Sequence, residues 1–136
     1  MSDHQAISAE DRQLIIELLA RYSWAFDAGD ADGVATLFTE NGVFHGSSGP
    51  IEGRSALREF VKRAKANAAE CSMQHWVGNT VLTRTEGNAV RARSYLTVVL
   101  VGEHAEVRAA GEYDDLLVKE SGEWRFTSRR YLKWPG

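Results

Sequence analysis

Two short segments hold the residue types that can move a proton: residues 25–30 (AFDAGD) and residues 74–79 (QHWVGN). A carboxylate that binds one nitrogen of an imidazole fixes its tautomer and leaves the other nitrogen free to take a proton from a substrate. If the fold brings Asp27 against His75, the two side chains form a general base. The alternative is structural: Asp27 only ends a helix, and His75 is a half-buried histidine with a satisfied hydrogen bond.

The N-terminal half must position Asp27. Ser8 predicts a helix N-cap and Gly29 the end of that helix, because apolar residues recur between them at helical spacing. Asp27 therefore lies in the last turn. Asp30 then caps a second, shorter helix.

Further along, residues 43–45 predict a short strand and residues 47–50 a loop. A third helix is expected to start near Ser55.

The C-terminal half predicts a sheet. Four segments are rich in β-branched and aromatic residues and are separated by hairpin-length breaks: residues 73–83, 89–101, 107–119 and 124–132. Helices followed by a meander of long strands indicate an α+β fold. Such a sheet must curl around the first helix to cover its apolar stripe, and this leaves a cavity suited to a small ligand.

Strand alternation sorts the polar candidates. In the first long strand, His75 and Asn79 share a face with apolar neighbours, as expected for polar groups in an apolar pocket. In the third, Tyr113 and Asp115 share a face. Asp114 and Asp115 point to opposite sides, so they do not predict a metal site.

Composition excludes several functional classes. The chain of 136 residues suits one domain over residues 1–136, and its net charge of −3 gives no reason to expect nucleic acid or a membrane as a partner. No apolar window is long enough to span a bilayer. No Cys/His set has zinc spacing and no Gly-rich phosphate loop is present, so we expect neither metal nor cofactor.

Two further features suggest a location. Residues 1–5 lack the basic and apolar regions of a signal peptide. Cys71 is the only cysteine and cannot form an internal disulfide. A reducing cytoplasm is therefore the expected environment.

At this point the sequence resembles a known family, the SnoaL-like domains of the nuclear transport factor 2-like superfamily. The likeness runs from about Ala9 to about Tyr131 and rests on Tyr22, residues 26–30, Leu37-Phe38, Gly53-Arg54, residues 74–79, 111–113 and 122–126. The resemblance implies an α+β, cone-shaped barrel with N-terminal helices packed into a strongly curved antiparallel sheet. It implies no single activity, because this fold hosts dehydratases, isomerases, cyclases, epoxide hydrolases and non-catalytic domains.

Within that superfamily the sequence is most similar to scytalone dehydratase and lindane dehydrochlorinase, with polyketide cyclase-type proteins as further relatives. The resemblance implies that His75 is the base and Asp27 its partner. Phe26 departs from the pattern of scytalone dehydratase, which has a tyrosine there. Where scytalone dehydratase has a second active-site histidine on the next strand, this chain has the apolar residues 97–100. His45 aligns roughly with the water-orienting tyrosine of that enzyme. Scytalone is therefore not the expected substrate.

Five residues are predicted to contact the substrate: Tyr22, Phe26, His45, Asn79 and Tyr113. Three of these residues also have a structural alternative. Tyr22 lies on the apolar helix face, typical of a core tyrosine with a tethered hydroxyl. His45 is either an acid in the pocket or a surface histidine, and Asn79 either bonds a substrate oxygen or pins a neighbouring strand.

The expected function is that of a small-molecule lyase or isomerase of dehydratase, dehydrohalogenase or cyclase type. The Asp27–His75 pair would abstract a proton from an apolar, carbonyl-bearing cyclic or aromatic substrate in a water-poor pocket. The alternative is a non-catalytic module that binds an apolar ligand or a partner subunit, as the β subunits of ring-hydroxylating dioxygenases do.

Self-association is also expected. One sheet face covers the helices, and the other still carries apolar or aromatic residues such as Trp76, Leu82 and either Tyr95 or Leu96. Contiguous apolar surface of this kind favours a homo-oligomer, and a dimer is the commonest closed arrangement.

Overall fold

The computed structural model describes residues 6–68 and 72–135. Two helices are followed by a pair of strands, a third helix and four long strands. The elements are α1 (Ala9–Ala28), α2 (Ala31–Ala35), β1 (Phe38–Gly46), β2 (Gly49–Glu52), α3 (Arg54–Asn67), β3 (Ser72–Arg84), β4 (Val90–Val101), β5 (Ala105–Glu120) and β6 (Glu123–Lys133). The predicted α+β class with N-terminal helices on a curved sheet is confirmed. Across these two ranges, no helix combines the length and the apolarity that a membrane span requires. Residues 1–5 and Cys71, on which the predictions about targeting and redox state rest, lie outside the described residues.

Helix α1 begins and ends where its sequence predicts. The Ser8 hydroxyl accepts a hydrogen bond from the Asp11 amide at 3.0 Å, and Gly29 closes the helix in the left-handed conformation at φ 73°. The apolar stripe of α1 is buried under the sheet at Ile15, Leu18, Leu19 and Tyr22. This packing fixes the C-terminal turn of α1 against the sheet.

The six strands form one open, mixed sheet in the order β2-β1-β6-β5-β4-β3. The four long strands pair antiparallel, as predicted. The sequence did not indicate two further features. Strand β1 pairs parallel with β6. Residues 49–52 form strand β2, which makes a hairpin with β1 and overlaps the second half of the loop expected over residues 47–50.

A bulge in β3 changes which side chains face the core. The register with β4 shifts between Gly78 and Val81, and Asn79 has a left-handed φ of 53°. Beyond the bulge the alternation is reversed. The prediction that Asn79 shares the inward face of His75 is therefore wrong: Asn79 is exposed. Leu82, expected on the outer face, packs against the core instead.

Candidate active site

Asp27 and His75 are in direct contact. Nδ1 of His75 lies 2.6 Å from Oδ1 of Asp27, and the backbone amide of His75 donates to Oδ2 at 3.0 Å. A carboxylate only accepts, so Nδ1 carries the shared proton and Nε2 keeps its lone pair in the neutral ring. The predicted contact is confirmed, and both side chains are largely buried, with 12% of His75 and 20% of Asp27 exposed.

Three elements hold the carboxylate in place. Asp27 lies in the last turn of α1, two residues before the left-handed Gly29. From α3, Lys65 packs so closely over Gly29 that a Cβ there would lie 2.8 Å from its Cγ, and its Nζ donates to the Asp27 carbonyl at 3.3 Å. From β3, His75 binds both carboxylate oxygens, and its ring meets that of Phe26 in α1 edge-on at 5.0 Å.

A cavity of about 600 Å³ opens between the sheet and the helices, and His75 is in its wall. Its deep part is mainly aromatic and aliphatic, formed by Tyr22, Phe26, Phe44, Phe60, Leu96, Val98, Tyr113 and Tyr131. Phe60 joins two walls, since its ring centroid is 5.6 Å from Phe26 and 5.1 Å from Phe44. A concave, largely apolar space with few polar groups is typical of a small-molecule site.

The structure brings three of the five predicted contact residues to this cavity: Tyr22, Phe26 and Tyr113. His45 and Asn79 are not among its lining residues. Adjacent residues of a strand point to opposite faces, so the inward position of Phe44 turns the half-buried His45 away. The β3 bulge exposes Asn79, as described above. The structure thus does not bring these two residues to this cavity, and their contact with a substrate stays a prediction.

Tyr113 is the polar group most suited to donate a hydrogen bond here. Burial raises its pKa to about 12, while the Arg129 guanidinium partly opposes that shift. The hydroxyl therefore keeps its proton at neutral pH. Burial also raises the pKa of Tyr22 well above its usual value, and this tyrosine is packed among the rings of Phe26, Phe38, Tyr113 and Phe126.

Sequence reasoning missed a buried ion pair beneath Tyr113. Arg129 donates to Asp115 through Nε at 2.9 Å and Nη2 at 3.2 Å, and both side chains are fully buried. The guanidinium carbon lies 3.5 Å from the Tyr113 ring centroid and 4.3 Å from that of Tyr22. A signal was present: an aspartate on an inward apolar face needs a cation.

Burial and pairing act on this ion pair in opposite directions. Burial raises the pKa of Asp115 and so disfavours its charge. Burial is also the largest single influence on Arg129 and opposes its charge, but Asp115, Tyr113 and Tyr22 together raise the pKa of the guanidinium. The two-point geometry favours the ionised pair, because arginine keeps its proton and matches a carboxylate with two parallel hydrogen bonds.

The Asp27 contact predicts one tautomer of His75. In ¹⁵N-detected spectra of the neutral ring, we expect the proton on Nδ1 and an unprotonated Nε2. Asp27→Asn should raise the fraction of the Nε2–H form, because an amide nitrogen facing Nδ1 donates rather than accepts. An Nε2–H ring in the unaltered protein would contradict the assignment.

Comparison with known proteins places the chain in a family. A family model described as SnoaL-like domain matches residues 8–130. No match was found among curated proteins. A structure of Rv3472 from Mycobacterium tuberculosis, a protein of unknown function, is 31% identical, with a TM-score of 0.82 over 93% of this chain and 77% of that one.

Two further solved structures share the fold. An NTF2-like protein with a cystatin-like fold from Novosphingobium aromaticivorans is 26% identical, with a TM-score of 0.83, covering 93% of this chain and 84% of that chain. ActVI-ORFA from Streptomyces coelicolor is 21% identical, with a TM-score of 0.88, covering 95% of this chain and 98% of that chain. These likenesses agree with the nuclear transport factor 2-like architecture.

Proposed function

The chain belongs to the SnoaL-like domain family, which includes polyketide cyclases and related enzymes, and from that premise we propose that it is a small-molecule lyase or isomerase. In this proposal His75 is the general base, and Asp27 orients it. The substrate is an apolar, carbonyl-bearing cyclic or aromatic molecule that loses a proton from carbon. The reaction is an elimination, a cyclisation or a double-bond shift.

One observation carries the proposal: a buried imidazole in the wall of an apolar cavity, with its ring and its backbone amide held by the two oxygens of one carboxylate. The two contacts restrict both the rotation of the ring and its distance from α1. Preorganisation of this kind makes a weak base effective, because the proton acceptor is already aligned when the substrate binds.

The proposed chemistry conserves protons and electron pairs. Nε2 of His75 takes the proton from the carbon next to the carbonyl, and the electron pair of the C–H bond moves toward the carbonyl as an enolate. In an elimination, that pair then forms a carbon–carbon double bond as the leaving group departs with the electrons of its own bond, and the imidazolium gives its proton to the departing oxygen or to solvent. In a cyclisation, the enolate carbon instead attacks a second carbonyl carbon of the same substrate, and the oxygen of that carbonyl takes the proton. In an isomerisation, the imidazolium returns its proton to another carbon. Asp27 stabilises the imidazolium throughout.

Tyr113 is the proposed donor to the carbonyl oxygen. Its hydroxyl keeps its proton at neutral pH, as its raised pKa requires, and the residue lines the same cavity as His75. Among the described residues, no protein group is hydrogen-bonded to this hydroxyl, so it is available to a ligand. A donor aimed at the oxygen on which charge develops lowers the barrier to proton abstraction.

A second candidate function is a non-catalytic binding module. It is favoured by the apolar character of the cavity wall on β4, where Leu96 and Val98 face the space, and by the position of His45 outside the cavity. His75 is thus the only imidazole among the described lining residues. Under this alternative, the Asp27 contact serves the packing of α1 on β3.

A two-stage screen separates these functions. Small cyclic ketones and halocarbons are tested for binding by ligand-observed NMR, with Ala64→Phe as a control that fills part of the cavity. Compounds that bind the unaltered protein and not the control are then assayed for product. Product formed by the unaltered protein and lost with His75→Gln supports the enzyme. Cavity binding with no product supports the binding module.

We also propose that the chain forms a dimer through the outer face of its sheet. Four large side chains are exposed there: Trp76 by 59%, Tyr95 by 53%, Leu132 by 38% and Trp134 by 51%. Tyr95 and Trp134 meet edge-on at 5.7 Å, which makes the apolar patch continuous. Ultracentrifugation at micromolar concentration should give at least twice 15.1 kDa, and Tyr95→Lys should lower this mass. A monodisperse monomer would refute the dimer.

A further inference from the structure

Helix α3 presents one face to the cavity and places a cation on it. The lining residues of this helix are Phe60, Arg63, Ala64 and Asn67, which follow the spacing of a single helical stripe. Among the described lining residues, Arg63 is the only side chain with a permanent charge, and no carboxylate accompanies it. The cavity therefore has a positive end.

Arg63 differs from the other basic residues of α3. The described residues give each of the others a partner: Arg54 binds the Phe38 carbonyl, Arg58 binds Asp32, Lys62 binds Glu59, and Lys65 binds the Asp27 carbonyl. Within the same ranges, Arg63 has neither an ion pair nor a side-chain hydrogen bond. Its guanidinium is the basic group of this helix that remains available to a ligand.

The cation lies at the cavity mouth, which is polar. The mouth is formed by Ser47, Ser48, Pro50, Arg63 and Asn67, all of them at least partly exposed. The aromatic wall separates it from the base: Phe26 meets His75, Phe60 meets Phe26, and Arg63 follows Phe60 by about one helical turn. A ligand that reaches both ends is apolar in the middle and anionic at its outer end.

We propose that the ligand of this cavity carries a carboxylate, bound at the mouth by Arg63 with the Ser47 and Ser48 hydroxyls and the Asn67 amide as further donors. The guanidinium offers two parallel N–H groups that match a planar carboxylate. This inference rests on the proposed function only for the chemistry at the His75 end. The binding of the anion requires no turnover.

A matched pair of probes tests the proposal: 2-naphthylacetate and 2-naphthylacetamide, which share size and shape and differ in charge. At low ionic strength we expect the acid to bind about three- to tenfold more tightly than the amide, because Arg63 is at the solvent-accessible mouth and its attraction is partly screened. Arg63→Gln should bring the ratio of the two Kd values to about one, because it weakens binding of the acid much more than binding of the amide. Raising the salt concentration should reduce the ratio only for the unaltered protein.

The control is Lys62→Gln, which removes the neighbouring positive charge from the same helix and should retain the preference. Equal binding of acid and amide, a preference that survives Arg63→Gln, an equal loss with Lys62→Gln, or no binding of either probe would each overturn the proposal. The His75→Gln variant separates failure of this proposal from failure of the proposed function. It should keep the preference for the acid over the amide whether or not the protein is an enzyme.

Discussion

Replacing His75 by glutamine is expected to lower kcat by about 10²–10⁴-fold, the usual contribution of a positioned general base. The two side chains are similar in length, and the substitution leaves in place the backbone amide that donates to Asp27, so the fold should persist. The measurement is steady-state turnover of the substrate that the screen identifies, together with a urea unfolding curve to show that stability is retained.

Asp27→Asn should also lower kcat. The carboxylate accepts two hydrogen bonds, from Nδ1 and from the backbone amide of His75. The carboxamide has one oxygen and one NH₂, so it meets both contacts only when its NH₂ faces Nδ1 and the ring takes the Nε2–H form, which leaves Nε2 unable to accept the substrate proton. Loss of the negative charge also removes the stabilisation of the imidazolium. Binding of a neutral ligand should change much less than kcat.

Two matched controls separate the chemistry from general damage. His45→Gln alters a half-buried histidine outside the cavity, and Asp32→Asn removes an exposed carboxylate that pairs with Arg58. Both variants should retain turnover close to that of the unaltered protein. If His45→Gln reduced turnover as much as His75→Gln did, the assignment of the base would be wrong.

Arg129→Met is expected to reduce the free energy of unfolding by about 3–5 kcal/mol, because it leaves the fully buried Asp115 without its partner. A loss of this size is a large part of the total stability of a small domain, which is about 5–15 kcal/mol. Asp115→Asn should cost a similar amount, since the guanidinium then has no countercharge. Urea unfolding of the two variants measures both effects.

The double variant Asp115→Leu with Arg129→Met should recover much of that loss, because an apolar pair needs no desolvated charge. The neighbouring ion pair of Arg91 and Asp114 is the control, since it lies on the solvent face of the same sheet. Asp114→Asn should cost only about 0–1 kcal/mol. Equal losses from the buried and the exposed pair would contradict the account of Arg129.

The sequence predicted the central contact because both partners lie at well-marked positions. Asp27 is two residues before a glycine that ends an apolar helix, and His75 is on the regular part of β3, before the bulge. Local patterns indicated the helix end and the strand face. The resemblance supplied the expectation that the fold brings them together, since spacing alone does not determine a contact between residues so far apart in the chain.

The predictions for Asn79 and Leu82 failed for a common reason. Alternation assigns faces only while the strand is regular, and the bulge between Gly78 and Val81 inserts a change of phase. An asparagine tolerates the left-handed conformation found there, so Asn79 was itself a signal of the bulge. The sequence pattern around it gave no other indication.

Arg129 was missed because a second irregularity hides it. Strict alternation from Phe126 places Arg129 on the outer face, but the register of β5 and β6 shifts between Leu116 and Leu117 and turns it inward, opposite Asp115. The parallel pairing of β1 with β6 was also beyond local patterns. Such pairing depends on where distant strands meet, and no short window of sequence records it.

Hydrogen–deuterium exchange at carbon tests the central claim most directly, because it detects proton abstraction whatever group leaves afterwards. Ligands shown to occupy the cavity are incubated in D₂O with the unaltered protein or with His75→Gln, and the carbon next to the carbonyl is followed by mass spectrometry. We predict deuterium uptake or product with the unaltered protein, and with His75→Gln only the exchange rate that the ligand shows in buffer alone. Cavity-bound ligands that exchange no faster with the unaltered protein than with His75→Gln would contradict this prediction.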